Sequence, residues 1–313
     1  MDDIKDCRGI PYPVYTAGRV CGCAAVLGAK PEKFVFLLKL FIKQNKSQVP
    51  LPGQFYMLRS MKSKLLLGRP ISVFHAEEKL DGAEIQFLIL KKGKGTSELC
   101  SLSQDDEVQI LGPLGNTFPK PKEGAKVCII GGGIGVAPVA GFAESLTAGS
   151  YDFYASFKSG SYGLENIKPV KLVITTDDGS IGIKGMLPAA LNVAALKSAG
   201  YSSIYACGPA PMLSYVKQIA EEAGIECRLS MEAHMACGMG VCLGCTIPTT
   251  EGNKRCCKDG PVFDSRKIIF KQPERSPSGK PLSEEPDLSF TFCGVKFQNP
   301  VIASSGTFGF GTE

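Results

Sequence analysis

The sequence predicts a multidomain β plus α/β protein: an antiparallel β-barrel, a parallel α/β nucleotide-binding domain and a small cysteine-rich domain. Three observations predict it. Short apolar runs broken by Gly, Pro, Asp and Ser fill the stretch from Thr16 to about Pro119, the texture of a small barrel or sandwich. From Lys126 onward, β-rich runs alternate with helical stretches, which means a parallel sheet. Beyond Glu226, Cys237, Cys242, Cys245 and the pair Cys256-Cys257 crowd together with glycines.

In the first region, Lys33–Ile42, Gln54–Arg59, Ile71–His75, Ala83–Leu90 and Glu107–Leu111 read as strands, because β-branched and aromatic residues dominate them. In the second, Lys126–Ile130, Tyr151–Phe157, Lys171–Thr175 and Ser203–Cys207 read as strands. Val136–Thr147, Leu187–Ser198 and Pro211–Ala223 read as helices. The expected boundaries are 1–120 for the barrel, 121–225 for the α/β domain and 226–271 for the cysteine domain. A Pro/Ser/charge-rich linker follows over 272–287, and apolar alternation resumes over 288–313.

Composition excludes several classes. A net charge of +5 with scattered Lys and Arg does not predict a nucleic-acid partner. No apolar run approaches a membrane span. The opening Met1–Lys5 is acidic and polar, with no apolar segment after it. Thirteen cysteines, an odd number without disulfide-framework spacing, fit a reducing compartment. A cytoplasmic protein without a membrane partner is therefore expected.

The cysteines carry the most specific signal. Cys237, Cys242 and Cys245 match the C-x₄-C-x₂-C run of plant-type [2Fe–2S] ferredoxins, although the fourth cysteine comes sooner than it does there. Gly238, Gly240 and Gly244 lie between them, as a backbone curling around sulfides requires. Structural zinc sites usually pair two short C-x₂-C knuckles, and only one is present. Cys256 and Cys257 are adjacent, and neighbouring side chains of an extended segment face opposite ways. One of the two is the fourth ligand, and spacing does not say which.

Arg69-Pro70-Ile71-Ser72 offers a guanidinium and a hydroxyl for a pyrophosphate and a flavin edge. Gly93–Ser97, with Gly95 and Thr96 at its centre, supplies a glycine turn and hydroxyls at a helix start, suited to phosphate oxygens. Gly131-Gly132-Gly133-Ile134-Gly135 is a glycine turn between strand and helix, though not the G-x-G-x-x-G fingerprint. Cys207-Gly208-Pro209 ends the last strand, where sheets of this class bind ligands. Asp177, after the third strand, is placed to accept from a ribose hydroxyl and favour NAD over NADP; a solvated turn fits it equally. His75 and His234, the two histidines, have no partner at ligand spacing. No side chain stands out as an acid, base or nucleophile.

In this order the barrel, R-P-I-S, G-T-S, G-P-L-G-N-T-F (Gly112–Phe118), G-G-G-I-G-V-A-P and C-G-P resemble the ferredoxin–NADP⁺ reductase superfamily. The C-x₄-C-x₂-C run and C-K-D-G-P-V-F narrow the resemblance to the electron-transfer subunits of dihydroorotate dehydrogenase B, over about residues 14–270. The resemblance implies FAD at Arg69, Pro70, Ile71, Ser72, Gly95 and Thr96, and NAD at the glycine turn and C-G-P. It implies [2Fe–2S] at Cys237, Cys242, Cys245 and Cys257, which leaves Cys256 an ordinary apolar position. It further implies an FMN-containing catalytic subunit as partner, in a heterotetramer, and a place in pyrimidine biosynthesis. The rival is a flavin/[2Fe–2S] reductase subunit of the same superfamily serving ferredoxin or another dehydrogenase. Residues 288–313 resemble the first hairpin and first strand of the catalytic subunit's own barrel. Such a barrel takes about 250 residues, so its catalytic base and most FMN contacts are expected beyond residue 313 or on another chain. The tail is expected to lack a core and to be poorly ordered.

Overall fold

The computed structural model describes residues 15–26, 35–43, 49–270, 290–292 and 295–297. The chain divides into two compact units, Met1–Phe270 and Lys271–Glu313.

The first unit opens with seven strands: β1 (Tyr15–Ala25), β2 (Val35–Lys43), β3 (Phe55–Ser60), β4 (Arg69–Ser72), β5 (His75–Lys79), β6 (Gly82–Leu90) and β7 (Glu107–Leu114). They form one antiparallel sheet in the order β4-β3-β7-β1-β2-β6-β5. Its two edges, β4 and β5, are consecutive in the chain, with only Val73 and Phe74 between them. Val73 N–H donates to Gln54 O beside β3, and Phe74 N–H donates to Gln86 O on β6. The sheet must therefore curl round, and the expected barrel is found. Alternation sets its inside. Leu38, Leu40 and Ile42 point inward from β2 and pair across with Phe87, Ile85 and Ala83 of β6. Lys39, Phe41 and Lys43 face the other way, as a period of two requires. Helix α1 (Lys94–Cys100) closes this lobe and buries Leu99 and Cys100.

The second lobe has strands β8 (Val127–Gly132), β9 (Tyr151–Phe157), β10 (Lys171–Thr176), β11 (Ile183–Lys184), β12 (Ser203–Cys207) and β13 (Glu226–Ser230). All six run parallel in the order β11-β10-β9-β8-β12-β13. Helices α2 (Val136–Glu144), α3 (Val193–Ala199) and α4 (Ala210–Ala223) cover its faces. Every residue of β8 is buried, as expected for a parallel strand covered on both sides.

Several details differ from the sequence expectation: the run Ile71–His75, expected as one strand, is divided at Val73-Phe74 between β4 and β5, and the helix expected over Val136–Thr147 ends at Glu144. The helix expected over Leu187–Ser198 is split into a 3₁₀ turn (Leu187–Ala189) and α3. Asn192 breaks it: its backbone is extended, and its carboxamide oxygen accepts from Ala195 N–H at 2.9 Å, capping α3. The strand over Glu226–Ser230 pairs with β12, so sheet membership runs past the boundary expected at residue 225.

The cysteine segment contributes the hairpin β14 (Thr246–Thr249) and β15 (Gly252–Arg255). It then returns as β16 (Val262–Asp264), antiparallel to β13 at the edge of the second sheet. One apolar cluster joins Phe55, Met57, Leu111 and Leu114 of the barrel to Cys245, Ile247, Cys256 and Cys257. Another joins Phe74, Leu88 and Phe118 to α2 and β8. The three parts thus share cores.

In the second unit, β17 (Phe290–Phe292) and β18 (Val295–Phe297) form an antiparallel hairpin. The expected linker up to residue 287 and the expected first barrel strand after residue 297 lie outside the described residues. Among the described residues, no helix is long and apolar enough to cross a membrane.

Candidate functional site

Folding brings R-P-I-S and the Gly93–Ser97 turn together. Arg69 begins edge strand β4, where Pro70 is tolerated because an edge residue need not donate to the ladder. Its guanidinium lies against Gly95: a Cβ there would be 2.5 Å from Arg69 Nε and 2.9 Å from Cζ. A side chain there would push the guanidinium aside, so the turn that starts α1 and the arginine form one surface. Arg69 Nη1 donates to Leu67 O at 3.0 Å and Gly68 O at 3.1 Å, which aims the fork along the barrel edge. Ile71 and Ser72 follow in β4, opposite Tyr56 and Phe55. The Thr96 hydroxyl accepts from Lys92 N–H and Gly93 N–H at 2.9 and 3.0 Å, and donates to Gly93 O. Thr96 therefore builds the turn itself, a role the motif reading did not contain.

The glycine turn and C-G-P also meet. Strands β8 and β12 are neighbours, with Gly131 opposite Cys207. A Cβ on Gly135 would be 2.7 Å from the Cys207 carbonyl carbon and oxygen. One on Gly132 would be 2.6 Å from Met212 Sδ and 2.9 Å from Pro209 Cδ, and one on Gly208 would be 2.4 Å from Met212 Cε. These glycines let two strand ends nest. Gly133, at φ +53° with nothing within 4 Å of its Cβ direction, is the open one. The Cys207 thiol is buried, and burial, with Glu232 adding to it, pushes it up to about 12. It stays protonated and is no nucleophile. Asp177 is exposed after β10, two strands from β8 at the same carboxyl end of the sheet. Its backbone N–H donates to Phe157 O at 3.1 Å.

The cysteine loop curls through left-handed backbone at Gly238 (φ +69°), Gly240 (φ +81°) and Leu243 (φ +59°). A Cβ on Gly238 would be 2.7 Å from Met57 Cγ of β3, so the loop rests directly on the barrel. The thiols fall into two pairs. Cys237 Sγ accepts from Met239 N–H at 3.4 Å and Cys242 N–H at 3.5 Å. Cys245 Sγ lies 3.2 Å from Cys257 Sγ and accepts from Cys257 N–H at 3.4 Å. Cys256 Sγ instead turns toward Met231 O at 3.9 Å, inside the apolar cluster. Partial burial raises the Cys237 thiol, but hydrogen bonds from Cys242 and Met239 outweigh it and bring the thiol down to about 6. Burial and the Cys245 thiol push Cys257 up to about 12. Two thiol pairs, inward N–H groups and a glycine curl fit a four-cysteine [2Fe–2S] group.

Arg255 buttresses this loop. It makes a forked pair with Asp259, Nε to Oδ2 at 3.0 Å and Nη2 to Oδ1 at 3.1 Å, while Nη1 donates to Gly240 O at 3.1 Å. Sequence reading missed Arg255, and also the partner of His75. The His75 ring, at Nδ1, is 2.6 Å from Glu144 Oε2 on α2, which ties barrel to second lobe. His234 is exposed.

A family model described as the iron–sulfur cluster binding domain of dihydroorotate dehydrogenase B matches residues 232–269. The "Dihydroorotate dehydrogenase B (NAD(+)), electron transfer subunit" of Clostridium acetobutylicum is 42% identical over 221 residues, covering 70% of this chain and 86% of the relative. That of Clostridium perfringens is 38% identical over 224 residues, covering 70% and 87%. Among solved structures, an NADH-dependent reduced ferredoxin-NADP oxidoreductase aligns with TM-score 0.66 at 23% identity, over 80% of this chain and 89% of that one. A ferredoxin reductase of carbazole 1,9a-dioxygenase aligns with TM-score 0.53 at 21% identity, over 68% and 66%. Those two show the fold. The relatives carry the assignment: the chain belongs to the family of dihydroorotate dehydrogenase B (NAD(+)) electron transfer subunits, NAD-linked oxidoreductase components with an iron–sulfur cluster binding domain.

Proposed function

We propose that this chain is the NAD⁺ side of a cytoplasmic dihydroorotate:NAD⁺ oxidoreductase, with an FMN-containing catalytic subunit as its electron donor in a heterotetramer. The observation that carries the reading is the seating of the cysteine loop on β3, which pairs directly with the strand that bears Arg69, and on β7, the next strand over. One-electron and flavin sites are thereby held on a common sheet.

When bound, the flavin supplies exchange between single electrons and hydride, and the cluster supplies one-electron transfer; this is the cofactors' chemistry. The chain's residues bind and aim. Arg69 and the Gly95–Thr96 turn hold a pyrophosphate, with Pro70, Ile71 and Ser72 passing the flavin edge. Gly131, Gly132 and Gly135 shape the dinucleotide cleft with Cys207, Gly208 and Pro209, and Gly133 leaves the open backbone. Asp177 selects NAD. Cys237, Cys242, Cys245 and Cys257 hold the two irons, and the Arg255–Asp259 fork keeps their loop in shape. The exposed Val241 and Leu243 beside exposed Cys242 provide the face on which the catalytic subunit docks.

Reconstitution tests this. The isolated chain is expected to oxidise NADH with artificial acceptors and to leave dihydroorotate untouched. Adding a complete FMN catalytic subunit is expected to create dihydroorotate:NAD⁺ activity. Dihydroorotate turnover by the chain alone would overturn the division of labour.

A further inference from the structure

The loop Gly112–Phe118 meets the cysteine domain through a single polar side chain. The Asn116 carboxamide treats Val262 as a strand partner: Oδ1 accepts from Val262 N–H at 2.9 Å, and Nδ2 donates to Val262 O at 2.8 Å. Nδ2 also reaches Asp259 O at 3.3 Å, and the Asn116 backbone N–H donates to Gly260 O at 2.7 Å. Gly115 makes the approach possible, since a Cβ there would be 2.5 Å from Pro261 Cδ. Val262 opens β16, which pairs with β13 of the second sheet. Asn116 therefore stands where all three parts of the unit meet, a few residues from Cys257. It is solvent-exposed, so packing does not ask for an amide at this position; the bonds to Val262 and Asp259 do.

We propose that Asn116 is the positioning residue that holds the cysteine loop at one fixed separation from the flavin barrel. The proposal rests on the reading of Cys257 as a cluster ligand and of the Arg69 surface as the flavin site. Cys257 lies in the turn whose far end, Asp259 to Val262, is what Asn116 grips. Arg255 and Asp259 shape that turn from within, but only Asn116 ties it to the barrel by side-chain hydrogen bonds among the described residues. Without the amide, the loop keeps its own curl and loses its register on β7.

The test uses the flavin- and iron-loaded chain and its Asn116→Ala and Asn116→Asp variants. Both variants are expected to keep wild-type FAD and iron content, and NADH is expected to reduce the flavin within about twofold of the wild-type rate. Stopped-flow bleaching of the cluster after flavin reduction is expected to slow about tenfold or more in Asn116→Ala, the scale of loss that a small misplacement causes. Hydrogen exchange of the Val262 amide, a readout independent of turnover, is expected to quicken in the same variant. Asn116→Asp keeps the acceptor for Val262 N–H and should recover part of both. Unchanged cluster bleaching in Asn116→Ala, or unchanged Val262 exchange, overturns the proposal. So does loss of iron in both variants, which would make Asn116 a folding residue. Absence of iron or flavin from the wild-type chain would instead sink the cofactor reading beneath it.

Discussion

Adjacent residues of one apolar cluster whose thiols turn to different partners make the sharpest test at the residue scale. Cys257 Sγ is 3.2 Å from Cys245 Sγ, whereas Cys256 Sγ turns away from that pair toward Met231 O at 3.9 Å. Cys257→Ser is expected to abolish the iron content of the purified protein. Cys256→Ser is expected to keep it and to lose about 1 kcal/mol of stability for a buried hydroxyl. Iron analysis and thermal melting decide, and the opposite iron result would move the ligand by one residue. Asp259 carries a pH signature. Its hydrogen bonds with Arg255 hold its carboxyl below the usual carboxylate range, against partial burial. A depressed folded pKa adds stability above the unfolded value of about 4, lost as pH falls through the folded value. The stability difference between wild type and Asp259→Asn should therefore be full at pH 6 and shrink below about pH 4. Melting curves of the two proteins across that window measure it, and a difference that grows on acidification would refute the assignment.

At the scale of elements, the glycine turn before α2 separates two roles that one motif conceals. Gly135 allows β8 to turn beneath the Cys207–Gly208 backbone, and a methyl there meets backbone atoms that have no room to yield. Gly135→Ala is expected to part the strand ends, to weaken NADH binding at least about tenfold and to cost about 1–3 kcal/mol. Gly133→Ala meets no atom within 4 Å and carries only the strain of its positive φ, roughly 1 kcal/mol. NADH titration of the flavin spectrum in both variants, beside melting curves, separates packing from ligand approach. Equal losses in the two would show that both glycines serve the same purpose. The split of the expected Leu187–Ser198 helix belongs to this scale too. Apolar spacing persists across Asn192, but an Asx cap satisfies a free N–H better than a continued helix does.

At the scale of the molecule, shared cores give the first unit its order. The barrel contributes Phe74, Leu88 and Phe118 to the second lobe's core, and Phe55, Met57 and Leu114 to that of the cysteine domain. The His75–Glu144 pair and the Asn116 clamp add direction to contacts that apolar packing alone leaves free to slide. The reconstitution experiment belongs here as well. The sequence expectation likens 288–313 to the start of the catalytic subunit, and within it strands Phe290–Phe292 and Val295–Phe297 pair antiparallel. Coupling to a complete catalytic subunit should accordingly be measured with and without residues 288–313. Coupling by neither form would favour the ferredoxin-serving alternative.

Composition and spacing were enough for much of this protein. Strands β2 and β6 were legible from their β-branched and aromatic content, and β8, β9 and β12 from their buried apolar runs, because local composition and burial agree there. The cysteine spacing likewise marked the cluster loop, since ligands close in the chain need no long-range folding to meet. Four things depended on the tertiary structure. Arg69 meets Gly95, Gly135 meets Cys207, His75 meets Glu144 and Asn116 meets Val262 only after distant strands pair. The choice between Cys256 and Cys257 leans on the same cause: spacing treats neighbours alike, and the folded loop turns one thiol to Cys245 and the other to Met231 O. Local sequence carries hydrophobic period and turn chemistry. Which side chain ends beside which depends on sheet order and register, and these are decided by burial summed over the whole chain.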